Sequence, residues 1–163
     1  MAETGDIFER LIQDHDLHRD LIARLKETDG QSAERRDLFE KLTKELKSHA
    51  SAEEQALYST MMRKPPTTDD TRHSVAEHHE IEVALNDLAA TDAGSREWDE
   101  KFDHLSHRYL HHIEEEEDEH FPEFSEFLTA EDETFMRMVF ERRKEAERAE
   151  AEVTPEPMED AKE

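Results

Sequence analysis

The sequence predicts an all-α protein: an up-down-up-down four-helix bundle with an additional C-terminal helix and a disordered acidic tail. Only 3 of its 163 residues are glycine, and 40% are charged. Its apolar residues recur at the three- and four-residue spacing of amphipathic helices. A hydrophobic content of 34% is enough for one thin core. We expect the bundle to occupy residues 1–128, the added helix 129–150 and the tail 151–163.

Apolar stripes and stop signals predict the first two helices. The first runs over about 6–28, because Asp29-Gly30 is typical of a helix C-terminus. Ser32 is a good N-cap for a second helix that ends near Met62. The inward residues of these helices are Phe8, Leu11, Ile12, His15, Ile22 and Leu25, then Leu38, Leu42, Leu46, His49, Glu53, Ala56 and Leu57.

Prolines and small polar residues separate the next two helices. The Pro-Pro-Thr-Thr sequence before Asp69 predicts a loop, so the third helix begins at Asp69 or Asp70 and ends near Ala90. Ser95 caps the fourth helix, which Pro122 ends or kinks. The inward residues are Val75, His78, Ile81, Leu85 and Leu88, then Trp98, Phe102, Leu105, Tyr109, His112 and Glu116.

A fresh helix start at Thr129 predicts the C-terminal helix, which extends to about Glu150. Its residues at helical spacing are Phe135, Met138, Val139 and Arg142. We expect this helix to cover one end of the bundle, and a dimer contact is the alternative. The following residues, 151–163, contain two prolines and many acids, a composition that predicts disorder.

Charge and composition exclude several classes of function. The 45 acidic and 21 basic residues give a net charge of -24, which repels nucleic acids and anionic membranes. Signal-peptide features are missing at the N-terminus, and no apolar run approaches the roughly 20 residues that cross a bilayer. The absence of cysteine excludes disulfides, thiolate metal ligands and cysteine nucleophiles. We expect a cytoplasmic protein that is a monomer or a weak homodimer.

Two copies of a His-x-x-x-Glu motif predict a metal site. The pairs His49/Glu53 and His112/Glu116 each lie one helical turn apart, so both side chains of a pair reach the same ion. A buried carboxylate such as Glu53 is costly unless it is paired or coordinated. Counted from the predicted turns, the histidines of neighbouring helices lie within about 5 Å of the same level. The candidate ligands are His15, His49, Glu53, His78, His112 and Glu116.

Other histidines have simpler interpretations. A single histidine on an apolar stripe, such as His15 taken alone, is more often a hydrogen-bonded core residue than a ligand. His18 lies near that stripe and is a weaker candidate. The row His104, His107 and His111 is rotated away from the apolar stripe and is expected to be solvated. His111 with Glu115 also satisfies the motif and remains an alternative register.

The motifs resemble those of the hemerythrin-like domains of the HHE cation-binding family, from about Ile7 to Leu128. The matching pieces are Asp14-His15, His49 to Glu53, Glu77-His78, His112 to Glu116 and Phe121-Pro122. The resemblance implies a four-helix bundle that holds two iron ions, oxo- or hydroxo-bridged. The four histidines would be terminal ligands, and Glu53 and Glu116 would bridge the ions. Manganese and zinc also suit these ligands.

The sequence departs from the invertebrate oxygen-carrying hemerythrins. Those proteins have His-x-x-x-His in the third helix, whereas His73 and His78 are five residues apart here. They have His-x-x-x-x-Asp in the fourth helix, where this chain offers His112 and Glu116. We therefore expect neither a seventh protein ligand nor simple oxygen transport.

Three functions compete. The first is a di-iron protein that binds dioxygen, nitric oxide or peroxide in sensing, storage or iron and oxidative-stress handling. The second is a di-iron enzyme that turns over hydrogen peroxide, with Glu54, Glu117, Tyr58 or Tyr109 supplying protons or orienting ligands. The third is a metal-free acidic interaction bundle. A ferritin-like site is rejected because only one Glu-x-x-His pair, ending at His120, is available.

Overall fold

The computed structural model describes residues 6–158, and all the secondary structure within that range is helical. The five helices are α1 (Ile7–Lys26), α2 (Ala33–Glu53), α3 (Pro65–Ala89), α4 (Arg96–Glu115) and α5 (Ala130–Glu150). Helix α2 continues through a π-helical turn, Glu54–Tyr58, into Ser59–Met61, and α4 continues through a second one, Glu116–His120, into Phe121–Ser125. The predicted all-α fold class is confirmed.

The predicted caps and inward faces of the bundle are present. The side chains of Ser32 and Ser95 accept hydrogen bonds from the amides of Arg35 and Trp98, at 3.1 and 3.0 Å. Each cap satisfies one of the backbone N–H groups that a helix start leaves without a partner. Every residue of the four predicted stripes is buried except Ile12 and Val75, which are partly buried.

The predicted loop before Asp69 is wrong, because α3 begins at Pro65. Proline is tolerated in the first helical turn, where its missing N–H would have no helical partner. Two threonines tie this start to the end of α2: the hydroxyls of Thr67 and Thr68 donate to the carbonyls of Met61 and Met62, at 2.7 and 2.9 Å.

Pro122 does not end the fourth helix. The amide of Phe121 donates to the carbonyl of Glu116, five residues back, which is the π-helical spacing. Pro122 then lies in the first turn of the segment that follows, where its missing N–H is tolerated. The helical path therefore continues to Ser125.

Two apolar clusters form the core and leave a polar layer between them. On α1, Leu11 belongs to one cluster and Leu21 to the other, and His15 lies between them. On α4, Ile113 and Phe121 flank Glu116 in the same way. The candidate ligands therefore lie at one level of the bundle, sealed above and below by hydrophobic side chains.

Helix α5 packs on α1 and α2, but of the residues that its spacing predicted only Val139 packs against the apolar core. Phe135 and Met138 are 60% and 44% exposed, while the buried row is Met136, Phe140 and Lys144. The buried row includes a lysine because its ammonium group meets two buried carboxylates, a pairing that hydrophobic periodicity cannot detect.

The chain after α5 runs along the bundle without helical structure as far as Met158. The amide of Glu156 donates to the carbonyl of Asn86 at 2.9 Å, and that of Met158 to Asp87 Oδ1 at 2.8 Å. The rest of the predicted disordered tail, 159–163, lies outside the described residues. No helix within 6–158 is long and apolar enough to span a membrane.

Candidate metal centre

The fold brings the six predicted ligands together in the polar layer between the two apolar clusters. All six are buried: His15, His49, Glu53, His78, His112 and Glu116. They come from four different helices, and their imidazole and carboxylate groups converge on two centres of negative charge, one at each glutamate.

Glu116 faces two histidines. Its Oε1 lies 3.3 Å from His15 Nε2, and its Oε2 lies 3.5 Å from His112 Nε2. The hydroxyl of Tyr58 donates a hydrogen bond to the same Oε2. One carboxylate therefore contacts imidazoles from α1 and α4 and a phenol from the π-helical turn after α2.

Glu53 faces the other two histidines. Its Oε1 lies 3.2 Å from His78 Nε2 and 3.6 Å from His49 Nε2. Neither contact has hydrogen-bond geometry, so both oxygens of Glu53 lack a hydrogen-bond partner. The carboxylate is completely buried in this condition.

Five inward atoms have no hydrogen-bond partner. They are the Nε2 atoms of His15 and His49, both carboxylate oxygens of Glu53, and Oε1 of Glu116. Leaving a buried polar atom unsatisfied costs about 1–3 kcal/mol. Nitrogen and oxygen donors that lack partners and point at one another fit a metal cation, which would satisfy all of them at once.

The opposite nitrogen of each ligand histidine contacts a carboxylate. His15 Nδ1 lies 2.7 Å from Glu117 Oε2, and His49 Nδ1 lies 2.8 Å from Asp14 Oδ2. An ionised carboxylate only accepts hydrogen bonds, so Nδ1 carries the proton. In the neutral tautomer the Nε2 lone pair then points into the site, as a metal ligand requires.

The other two histidines repeat this arrangement. His78 Nδ1 lies 2.8 Å from Glu54 Oε2, and His112 Nδ1 lies 2.6 Å from Glu77 Oε1. These four carboxylate–histidine contacts repeat one pattern in the two halves of the chain. The acid before each single histidine orients the histidine of the next His-x-x-x-Glu motif, and the acid after each motif glutamate orients a single histidine.

Sequence reasoning identified only part of this carboxylate shell. Glu54 and Glu117 were predicted to orient ligands, but Asp14 and Glu77 entered only as parts of matching motifs. The signal was present: Asp14-His15 and Glu77-His78 are both acid–histidine pairs, and both metal motifs read His-x-x-x-Glu-Glu. Which histidine each acid contacts depends on which helices are neighbours.

Both π-helical turns begin at the ends of these motifs. The first starts at Glu54 and the second at Glu116. Such turns occur frequently at functional sites. Here they carry Glu54 and Glu117, the two carboxylates that reach back to histidines on α3 and α1.

Burial and close charges shift the pKa values of the site in opposite directions. Burial lowers the pKa of His15, but its close contacts with the carboxylates of Glu116 and Glu117 outweigh it and raise the value to about 9. The same balance raises the pKa of His78 to about 9 and of His112 to about 10. Burial, followed by repulsion from Glu116, raises the pKa of Glu53 to about 7. Protons thus occupy the centre when no cation does.

His18 is buried but has other partners. Its Nδ1 is hydrogen-bonded to the Tyr109 hydroxyl at 2.6 Å, and its Nε2 lies 3.4 Å from Glu45 Oε1. The Lys144 ammonium donates to Glu45 Oε1 and to Asp14 Oδ2, at 2.9 and 2.8 Å. This positive charge disfavours a cation among Asp14, His18 and His49 and makes the group a structural network.

The alternative register does not enter the buried site. His111 is exposed, and Glu115 points to the outer surface, where it lies 3.3 Å from His73. His73 is itself half-exposed, and the position one turn before His78 is Ser74, whose hydroxyl is hydrogen-bonded to His120. Helix α3 therefore offers a single inward histidine.

A cavity of about 360 Å³ between α2 and α3 leads to the site. His49 and His78 form its inner end, and Tyr109 also lines it. Apolar side chains line much of the remaining wall: Leu46, Val75, Ile81 and Leu85. The cavity gives a small ligand a path to two of the four imidazoles.

Comparison with known proteins agrees with this geometry. The model of the hemerythrin HHE cation binding domain matches residues 6–124. The chain belongs to this family. The family resemblance that the motifs carry is thereby confirmed.

A solved structure has the same fold. The crystal structure of a hemerythrin HHE cation binding domain-containing protein from Mycobacterium kansasii is 23% identical in sequence and superposes with a TM-score of 0.80. The match covers 89% of this chain and 88% of that one. No curated protein matches the chain. The family description assigns cation binding, and three of the candidate ligands, His78, His112 and Glu116, have donor atoms within 4.8 Å of one another.

Proposed function

We propose that the chain is a non-haem di-iron protein that binds dioxygen, nitric oxide or peroxide, in sensing, storage or iron and oxidative-stress handling. One observation carries the proposal. The inward atoms of His15, His49, Glu53 and Glu116 have no partner in the protein, although each residue is buried. Without a metal, only protons and the neighbouring charged side chains offset the cost of burying them.

Two ions fit the donors better than one. Glu116 lies between His15 and His112, and Glu53 separately contacts His49 and His78. Imidazole and carboxylate donors suit iron, manganese and zinc. Two carboxylates leave part of the charge of two divalent ions uncompensated, which favours an added anionic ligand. A bound iron pair would supply redox electrons and an open coordination position.

The protein around the site selects small ligands and positions the donors. The cavity between α2 and α3 has a volume of about 360 Å³ and is lined by both apolar and charged side chains, which admits diatomic molecules and peroxide. Tyr58 holds one oxygen of Glu116 through its hydroxyl group. The four carboxylate–histidine hydrogen bonds fix the imidazole planes before any cation binds.

A peroxide-consuming enzyme is the second candidate. Tyr58 favours it, because its phenol is buried beside the site and burial raises its pKa well above 10. The hydroxyl therefore remains a proton donor at neutral pH. A carrier or a sensor needs a positioned hydrogen bond at this point, whereas a peroxide-consuming enzyme also needs a proton source.

Metal analysis of the purified protein tests the proposal. After growth in iron-rich medium, we expect two irons per chain and a near-ultraviolet charge-transfer band of ferric iron. Glu116→Ala should empty the site, while His104→Ala, which changes an exposed histidine on the same helix, should leave the iron content unchanged. Equal iron in the two variants would contradict the assignment.

Peroxide consumption separates the two candidates. The iron-loaded protein is mixed with a large excess of hydrogen peroxide, and the amount consumed per chain is measured. Stoichiometric uptake supports binding, whereas many turnovers support the enzyme. Tyr58→Phe should slow turnover if the phenol is the proton source.

A further inference from the structure

A second group of metal-binding side chains lies on the outer face of α3 and α4. His73 Nε2 is 3.1 Å from Glu77 Oε2 and 3.3 Å from Glu115 Oε1. One donor atom from each of the three residues lies within 4.8 Å of the others. We call His73, Glu77 and Glu115 the outer cluster.

The outer cluster is open to solvent on one side and closed on the other. The side chain of His73 is 51% exposed, and those of Glu77 and Glu115 are 21% and 22% exposed. Oε1 of Glu115 is itself inaccessible and has no hydrogen-bond partner, although it faces His73. An ion can therefore enter from solution and meet donors held at the protein surface.

The outer cluster has the sequence pattern of the buried centre. His73 and Glu77 are a His-x-x-x-Glu pair on α3, and Glu115 closes a second such pair with His111 on α4. This second pair is the alternative register of the metal motif, which lies outside the buried centre. Four-residue spacing places both members of each pair on one helix face.

We propose that the outer cluster binds one divalent transition-metal ion through His73 Nε2 and one oxygen each of Glu77 and Glu115. One imidazole and two carboxylates suit iron, manganese and zinc, and water completes the coordination at the exposed side. The net charge of -24 raises the local concentration of cations around the chain. The site is distinct from the buried centre, because its donor atoms face the outer surface of α3 and α4.

Glu77 connects the two sites. Its Oε2 faces His73, while its Oε1 accepts the hydrogen bond from His112 Nδ1 at 2.6 Å. An ion on the outer oxygen withdraws charge from this carboxylate and weakens its hydrogen bond to His112. Because that hydrogen bond sets the basicity of the His112 ring, occupancy of the outer cluster changes the buried centre.

Calorimetric titration with Zn²⁺ tests the outer site. The metal content of the purified protein is measured first, and Zn²⁺ is then added. We expect one binding event beyond the tightly held ions. His73→Ala and Glu115→Gln should each weaken this event more than about tenfold and leave the tightly held metal in place. Because His73 is half-exposed, thermal melting should show an unchanged fold.

His107→Ala is the matched control, since His107 is exposed on α4 and belongs to the solvated histidine row. Unchanged Zn²⁺ binding in His73→Ala would overturn the proposal. So would loss of binding in His107→Ala, which would place the ion on the row His104, His107 and His111.

Glu116→Ala separates this proposal from the di-iron assignment. If the buried centre holds no metal, the weaker Zn²⁺-binding event should still appear in Glu116→Ala and in the wild type. The connection through Glu77 has its own test. Zn²⁺ should shift the near-ultraviolet band of the iron-loaded wild type but not that of His73→Ala, and the absence of a shift would refute the connection.

Discussion

Replacing Glu53 with methionine should stabilise the metal-free protein, although it removes a candidate ligand. Methionine keeps the length of the side chain and removes both carboxylate oxygens. Those oxygens are buried without a hydrogen bond, and burial together with the nearby Glu116 raises the pKa of the group to about 7. The wild-type fold therefore carries an energetic cost at this position, which a bound cation would relieve.

The structure sets the size of the effect. Each unsatisfied buried atom costs about 1–3 kcal/mol, and the lost contact with His78 at 3.2 Å offsets part of the gain. We expect a net stabilisation of about 2 kcal/mol, which is the relief of two unsatisfied oxygens less the lost contact with His78. In a domain of this size, that corresponds to a rise of about 4–8 °C in the melting temperature.

Glu45→Met is the matched control. Glu45 is also a buried glutamate on α2, but Lys144 Nζ lies 2.9 Å from its Oε1 and an Arg148 guanidinium nitrogen 3.1 Å from its Oε2. Removing a paired carboxylate leaves Lys144 buried without one of its two partners. The expected loss is roughly 3 kcal/mol, or about 6–12 °C.

The assay is thermal melting by circular dichroism at pH 7.5 after exhaustive chelation, repeated with metal restored. Glu53→Met should melt above the metal-free wild type and gain little on metal addition, because its ligand is gone. If Glu53→Met destabilises the metal-free fold as much as Glu45→Met does, the reasoning from unpartnered oxygens is wrong.

Three further predictions follow from the same contacts. Tyr58→Phe removes the hydroxyl that donates a hydrogen bond to Glu116 and should weaken iron binding about 10- to 100-fold in a chelator competition. Tyr109→Phe is the control, and equal iron affinity for the two variants would contradict this prediction. Burial raises the pKa of Glu45, but its contacts with His18 and Lys144 outweigh it and lower the value to about 2. The stabilisation by this carboxylate is therefore complete above about pH 4.5 and is lost as the pH falls towards 2. Urea midpoints of Glu45→Gln should therefore approach those of the wild type in acid, and a constant gap would refute this. Three of the ligand histidines have pKa values of about 9–10 without metal, so metal binding at pH 7 should release protons and tighten as the pH rises towards 9. Calorimetry in two buffers with different ionisation enthalpies counts the protons, and a count of zero would exclude the mechanism.

The helical spacing of the apolar residues was sufficient to predict the bundle and the inward position of the candidate ligands. Helical phase alone separates His112 and Glu116 from His111 and Glu115, because a shift of one residue turns a side chain by about 100°. The structure places the first pair inside and the second pair outside. That choice needed no knowledge of neighbouring helices.

Features that depend on contacts between helices were missed. The hydrogen bond from His49 Nδ1 to Asp14 joins α2 to α1, and no spacing within one helix predicts it. Lys144 reads as a surface residue in the sequence, but it is buried because Asp14 and Glu45 lie beneath it. The helical start at Pro65 likewise depends on threonine hydroxyls that reach the end of the preceding helix.

The alternating carboxylate–histidine pattern means that each half of the bundle is an incomplete copy of the same hairpin. The first hairpin supplies Asp14-His15 and the motif from His49 to Glu54, and the second supplies Glu77-His78 and the motif from His112 to Glu117. Two such hairpins would build a symmetric centre as a homodimer. In this chain the two halves differ at the site, because Tyr58 has a hydroxyl group where the equivalent Phe121 has none. A ligand bound between the halves therefore meets different surroundings at its two ends.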